Sequence, residues 1–168
     1  MQLRRGWPRL GVALATLAGC PSAPQDPAAE LGTGTTEFEA LDAGDSVFVV
    51  LGPQGGYHIE GSLRVVGIET GDPEDLASAQ NPTITFDVLH GGASILTIPP
   101  ITQGIAEAPP DAAPFTHELL GRRLILSIGD DAELDGEALT LSVSVQDVGG
   151  VFVSDAVDVV GEPHPLNL

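Results

Sequence analysis

Few side chains in this 168-residue chain have types and spacings that could do chemistry. Asp131, Glu133 and Asp135 put carboxylates at every second position ahead of Gly136, the spacing with which calcium-binding loops begin. Calcium takes six or more oxygens, and Ser142 stands where such a loop would place its bidentate Glu. The run reads either as part of a calcium site, completed by Asp130, Glu137 or a distant Asp, or as an acidic turn between two strands. Tyr57 and His58 follow Gly55-Gly56. They are candidates for a ligand-contacting loop; the plainer reading is a tight turn allowed by paired glycines, with both residues starting a strand. His117-Glu118 opens like the zinc-protease helix motif, but Gly121 replaces the second His, so half the ligand pair is missing. The other histidines, His58, His90 and His164, are far apart in sequence. There is no Gly-x-Ser-x-Gly motif, no Lys for Schiff-base or phosphate work, and no Gly-rich phosphate loop. The expectation is a non-enzymatic protein that needs no cofactor, calcium apart.

The only thiol is Cys20. Ahead of it stand Arg4, Arg5 and Arg9, then the apolar run Leu10–Ala18. A spanning helix needs about 20 apolar residues, so this run is too short to cross a bilayer and fits a cleavable signal peptide over 1–19. Leu17-Ala18-Gly19-Cys20 resembles the lipobox of bacterial lipoproteins. That resemblance implies a diacylglycerol on the Cys20 thiol and a further acyl chain on its freed amine. It also accounts for a lone Cys in an exported chain. One acyl chain anchors only marginally, whereas two or three hold a protein firmly. Arg4-Arg5-Gly6-Trp7 resembles a twin-arginine export signal more loosely. Pro21, rather than Asp, follows Cys20; in the lipoprotein family this leans towards the outer membrane of the cell envelope.

Beyond Cys20 lie three arginines, Arg64, Arg122 and Arg123, against all 24 acidic residues, a formal charge of −21. Such a field repels phosphate backbones and anionic headgroups, which excludes nucleic acid as a partner. With no second Cys, the domain must fold without disulfides. Its aromatic residues are few, so the core must come from Val, Leu and Ile, which suits strands.

The stretch from Pro21 to Gly34 is rich in Pro, Ala and Gly without a hydrophobic period; with Cys20 it reads as a lipidated tether over 20–34, reaching about 50 Å at full extension. From Thr35 to Gly161 short apolar runs alternate with turn signals, as in a sandwich or barrel. Strands are expected at Thr35–Leu41, at Val47–Leu51 (an unbroken apolar run, hence buried on both faces), and at Tyr57–Glu69 with a bulge at Gly61. Others are expected at Thr83–Leu89, Ala93–Ile98, Arg122–Ile128, Ala138–Gln146 and Val151–Val160. Thr70–Pro82 reads as a loop. Pro99–Pro114, with Pro-Pro twice, reads as an edge or excursion. Residues 162–168 read as a frayed tail.

The segment Leu134–Asp147, the glycines Gly149-Gly150 and then Ser154–Val159 resemble the closing strand pair of bacterial immunoglobulin-like modules of the PKD and cadherin-like types. This implies an all-β, antiparallel immunoglobulin-like sandwich of about 7–9 strands. The Gly52–His58 loop together with the lipobox resembles a group of lipoproteins of myxobacterial type, which implies an origin and no activity. The combined expectation is a membrane-anchored envelope lipoprotein that binds an envelope protein or glycan. The alternatives are an accessory subunit of an envelope complex and a calcium-dependent adhesion module.

Overall fold

The computed structural model describes residues 25–167; the signal segment and Cys20 lie outside them. In chain order the strands are β1 (Ala28–Thr33), β2 (Glu39–Ala40), β3 (Ser46–Leu51), β4 (Tyr57–Val66), β5 (Thr83–His90) and β6 (Ala93–Ser94). They continue with β7 (Ile101–Thr102), β8 (Ala106–Glu107), β9 (His117–Ile125), β10 (Ala138–Gln146) and β11 (Phe152–Pro163). Four are two-residue fragments at sheet margins, leaving seven strands of six residues or more. The only helical elements among the described residues are two 3₁₀ turns, Pro110–Ala112 and Asp131–Leu134. None is long and apolar enough to cross a membrane.

The fold is an all-β sandwich. One layer pairs β1, β4, β9 and β8; the other pairs β3, β11, β10 and β5. With β4, β5, β9, β10 and β11 as strands B, C, E, F and G, the neighbours B–E and C–F–G are those of an immunoglobulin-like sandwich. β3 belongs to both layers. Its end pairs antiparallel with β4 at Val50–His58, and its body pairs parallel with β11, Val160 opposite Ser46. The sandwich is therefore not wholly antiparallel. A strand that crosses between layers must find backbone partners in each, and the free edge of β11 supplies the second.

Period-2 alternation fills the core. On β10 the inward residues Leu139, Leu141, Val143 and Val145 are all buried. They face Leu31, Ile59, Leu63, Val65 and Leu124 of the other layer in one apolar cluster. Each such side chain contributes about 1.5–3 kcal/mol on burial. The Asp147–Gly150 turn closes β10 onto β11 through Gly150 N to Asp147 O (3.1 Å) and Asp147 N to Val151 O (3.0 Å).

Several expectations need correction. The stretch read as tether contains β1, whose residues Ala28–Gly32 pair with Ser62–Val66. Only Leu31 and Gly32 of its six residues are buried, too short a pattern to show in the sequence. The expected strand Thr35–Leu41 shrinks to β2. Val47–Leu51 is not buried on both faces: Val47 and Val49 point inward, while Phe48 is half exposed, edge-on to the His164 ring. The expected strand Ala93–Ile98 is only two residues long, with a bridge from Leu96 to Leu126. Pro99–Pro114 is an excursion, as its prolines imply, but it also plugs the core with Ile105 and Ala112.

Of the stretch 162–168 expected to fray, the described residues 162–167 are tied down through Asn167. β11 runs on to Pro163 because β3 offers it a parallel partner. Asn167 then accepts from Leu51 N and donates to Val49 O, both at 2.8 Å, so its amide mimics the next strand's backbone.

The irregularity expected at Gly61 is present, with its extra residue on the opposite strand. Gly61 to Leu63 spans two residues, while their partners Arg122 and Leu119 are three apart. Gly121, at φ +64°, lies in that wider step, and its N–H donates to Ser62 Oγ and Gly34 O. Gly61 is needed for a different reason: a Cβ there would lie 2.8 Å from Leu124 Cδ1.

Candidate functional site

The two ends of the sandwich differ. At the proximal end the chain enters at Gln25–Ala28, and β4 ends, β5 begins and the β10–β11 hairpin turns. At the distal end lie the β3–β4 turn Gly52–Gly56, the start of β4 and the 131–134 turn. His58 and Gly67 are nine residues apart along one strand and its exit, or about 30 Å.

His58 and Glu60 stand on the same outer face of β4, being two apart. Arg123 is directly opposite Glu60 on β9, and Ile125 opposite His58. His58 Nε2 lies 3.2 Å from Glu60 Oε1, and Arg123 Nε lies 3.6 Å from the same oxygen. His58 is buried under the Gly52–Gly56 turn, which Gly52 N closes onto Gly56 O at 2.7 Å. His58, Arg123 and the Gly52–Gly56 turn line a cleft of about 380 Å³, with Pro53 and Ile125 as its apolar walls.

Glu60 itself lines a second cleft, of about 440 Å³, with Thr35, Phe48 and His164. Its Oε2 is buried without a hydrogen-bond partner. Such an atom carries a desolvation cost that a ligand N–H or O–H would relieve.

Electrostatics single out the same place. Of the three arginines among the described residues, Arg64 is sequestered: it pairs with Glu118 at 3.0 Å and its guanidinium lies 4.4 Å above the Phe38 ring. Arg122 is half-buried, and only Arg123 is exposed, with 64% of its side chain in solvent. In a strongly acidic protein, the first cleft presents the one exposed Arg of the described residues.

The sequence pointed to Tyr57 and His58 together, but the structure separates them. His58 enters the cleft, while Tyr57, one residue earlier, turns to the other face and packs against the core. Glu60 is not among the sequence candidates, and Arg122-Arg123, the only basic cluster beyond Cys20, reads from sequence as a solvated or salt-bridged strand start rather than an anion site. Glu60 could have been found from its two-residue spacing to His58. Arg123 required the β4–β9 register.

The acidic turn is put to local use. Asp130 and Glu133 form a capping box over the 131–134 turn: Ala132 N donates to Asp130, and Glu133 Oε1 accepts from Asp130 N and Gly129 N at 2.9 and 2.8 Å. Asp131 accepts from the Asn167 amide. Asp135 ends the turn, its N–H facing Ala132 O. Among the described residues no three His, Cys, Asp or Glu side chains converge as a metal site. His117 and Glu118 sit on β9, not on a helix; His117 contacts Thr116 Oγ1, and Glu118 is engaged by Arg64. Cys20 lies outside the described residues.

The sheet margins are short. β2, β6, β7 and β8 lie along them as two-residue fragments, and Asp155 Oδ2 accepts the free Leu31 N–H of β1 at 2.8 Å. Edges blunted in this way resist strand addition. No protein-family model, curated protein or solved structure matches the chain.

Proposed function

We propose that the protein is a non-enzymatic envelope lipoprotein, held by lipid on Cys20 in the outer membrane. Its sandwich carries the His58–Arg123 cleft, braced by Glu60, as a binding site for an envelope glycan or protein. The observation that carries this reading is the pairing of the one exposed Arg with a half-buried Glu that also contacts a buried His, at the end of the fold away from Gln25–Ala28. A ligand carboxylate would meet the Arg123 guanidinium. Ligand hydroxyls would meet the imidazole, and Pro53 and Ile125 would take an apolar face.

Two experiments test the two halves. Growth on labelled palmitate should label the wild-type protein and leave Cys20→Ser unlabelled and soluble; label on the serine variant removes the anchor. For the cleft, the intact protein is immobilised and challenged with solubilised envelope glycans and proteins. Arg123→Ala and His58→Gln should each lose the captured species while melting near the wild-type temperature. Undiminished capture by both variants rejects the cleft as the binding site.

A further inference from the structure

Six large apolar side chains are exposed among the described residues: Phe48, Leu76, Val148, Val151, Phe152 and Leu166. Their distribution is uneven. Val148, Val151 and Phe152 crowd into the β10–β11 turn, and Phe152 is 61% exposed. Leu76, 71% exposed, lies in the 70–82 loop, which leaves the end of β4 and returns at the start of β5. Thr83 pairs with Gln146, so this loop and the hairpin turn share the proximal end.

The chain enters at that same end. Ala28 pairs with Val66, and Gln25 packs so closely on Gly67 that a Cβ there would lie 2.8 Å from its carbonyl oxygen. Two residues further on, Glu69 N donates to Asp147 Oδ2 at 3.0 Å, which ties the β4 exit to the hairpin turn. From Gly67 to Glu69 is about 7 Å of chain. The five residues from Cys20 to Gln25 span at most about 18 Å.

From this placement we infer that the Val148–Phe152 hairpin turn dips into the lipid–water interface beside the Cys20 anchor, fixing the sandwich upright with its His58 cleft facing away from the bilayer. The inference rests on the lipoprotein reading. The occupant is a lipid surface rather than a protein because the anchor is a lipid and its leash is short. Any proximal apolar group must then lie within a few residues' reach of the headgroups. Asp72, Glu74 and Asp75 in the adjoining loop make zwitterionic headgroups the favoured surface, and anionic ones a repelled surface. Exposed apolar residues on a turn are also the type of side chain that enters this interface at low cost.

The test uses the full-length protein, matured in its host membrane, purified and reconstituted into phosphatidylcholine vesicles with brominated acyl chains. The sequence has one Trp, Trp7, ahead of Cys20, so the processed chain offers a dark background. Phe152→Trp probes the proximal turn. Phe48→Trp, an exposed position at the distal end, is the control. Mass spectrometry of the Cys20 peptide runs in parallel.

With lipid on Cys20, Phe152→Trp should show blue-shifted emission and about twofold quenching by brominated lipid, while Phe48→Trp stays unquenched. Mixing in phosphatidylglycerol should reduce the Phe152→Trp signal. If Cys20 carries lipid and both probes behave alike, the hairpin inference is overturned and the anchor stands. If Cys20 carries no lipid, both fall. The paired substitution Val148→Ser with Phe152→Ser, at two exposed sites, should leave the melting temperature unchanged and raise protease access at the 70–82 loop on vesicles. Unchanged access counts against the inference.

Discussion

Asp147 shows how one carboxylate can organise an end of the fold. It is buried, yet it accepts from Glu69 N at 3.0 Å and from Val151 N at 2.8 Å. The Glu69 amide, aided by those of Val151, Gly149 and Gly150, holds its pKa below the ordinary 3.8. Glu30 is perturbed the other way: burial lifts it above its ordinary 4.5, with Asp155 adding to the rise and Arg64 opposing it. The signs give opposite pH effects. The Asp147 contribution is fully present above about pH 3.8 and is lost as pH falls through its lowered folded value. The Glu30 penalty is present at neutral pH and fades as pH falls through its raised value, to vanish below 4.5. Stability should therefore rise on mild acidification and fall steeply below pH 3.8. In urea titrations across pH, Glu30→Gln should flatten the first limb. Asp147→Asn should flatten the second, and Asp147→Ala should cost about 2–4 kcal/mol at pH 7. An Asp147→Asn profile that keeps the wild-type acid limb contradicts this assignment. None of this was legible in the sequence. Asp147 read only as a turn residue, and its partner Glu69 is 78 positions away.

At the scale of elements, strands with clean alternation were readable and those set by partners were not. Ala138–Gln146 matches its expected bounds to the residue because its inward positions are all apolar and its outward ones, Ala138 apart, all polar. β1 and the tail escaped notice because pairing, not pattern, makes them strands or ties them down. β9 starts at His117, ahead of the expected Arg122, because Gly121 interrupts the alternation and the wider step there restores it. Two substitutions follow. Gly121→Ala would force φ +64° on a residue with a Cβ and should cost about 1–2 kcal/mol. Gly61→Ala would drive a methyl into Leu124 and should cost about 1–3 kcal/mol. Chemical denaturation of each variant measures both, and values within error of wild type would show that the β4–β9 packing yields more easily than the geometry implies. At the tail, Asn167→Ala removes the bonds to Leu51 N, Val49 O and Asp131 together. It should cost about 1–2 kcal/mol and expose the β3 edge amides to hydrogen exchange; unchanged exchange would mean the edge is covered by something else.

For the whole molecule, the question is what balances a charge of −21 beyond Cys20. Two answers predict different salt responses. If the acidic turn held calcium, millimolar CaCl₂ would stabilise the protein by mass action, far beyond its ionic strength. The geometry argues otherwise. Glu133 is committed to a capping box and Asp131 to the tail, so binding there would have to break two structural contacts to gain one ion. Simple screening is the alternative. Carboxylates spread over a surface repel over the Debye length, which is about 10 Å at 0.1 M salt, and compactness suffers from that repulsion. The melting temperature should therefore climb with ionic strength, with NaCl and CaCl₂ nearly superimposable at matched strength and EDTA without effect. A calcium-specific rise that Asp131→Asn with Asp135→Asn abolishes would restore the adhesion-module reading and refute the screening one. The same field bears on the proposed lipid anchor. A body this acidic is pushed away from anionic headgroups, so on the lipoprotein reading lipid on Cys20 and the apolar hairpin would have to hold it at the surface against that repulsion. Retention on vesicles should accordingly strengthen with salt, the opposite of a protein bound to membranes by its charge.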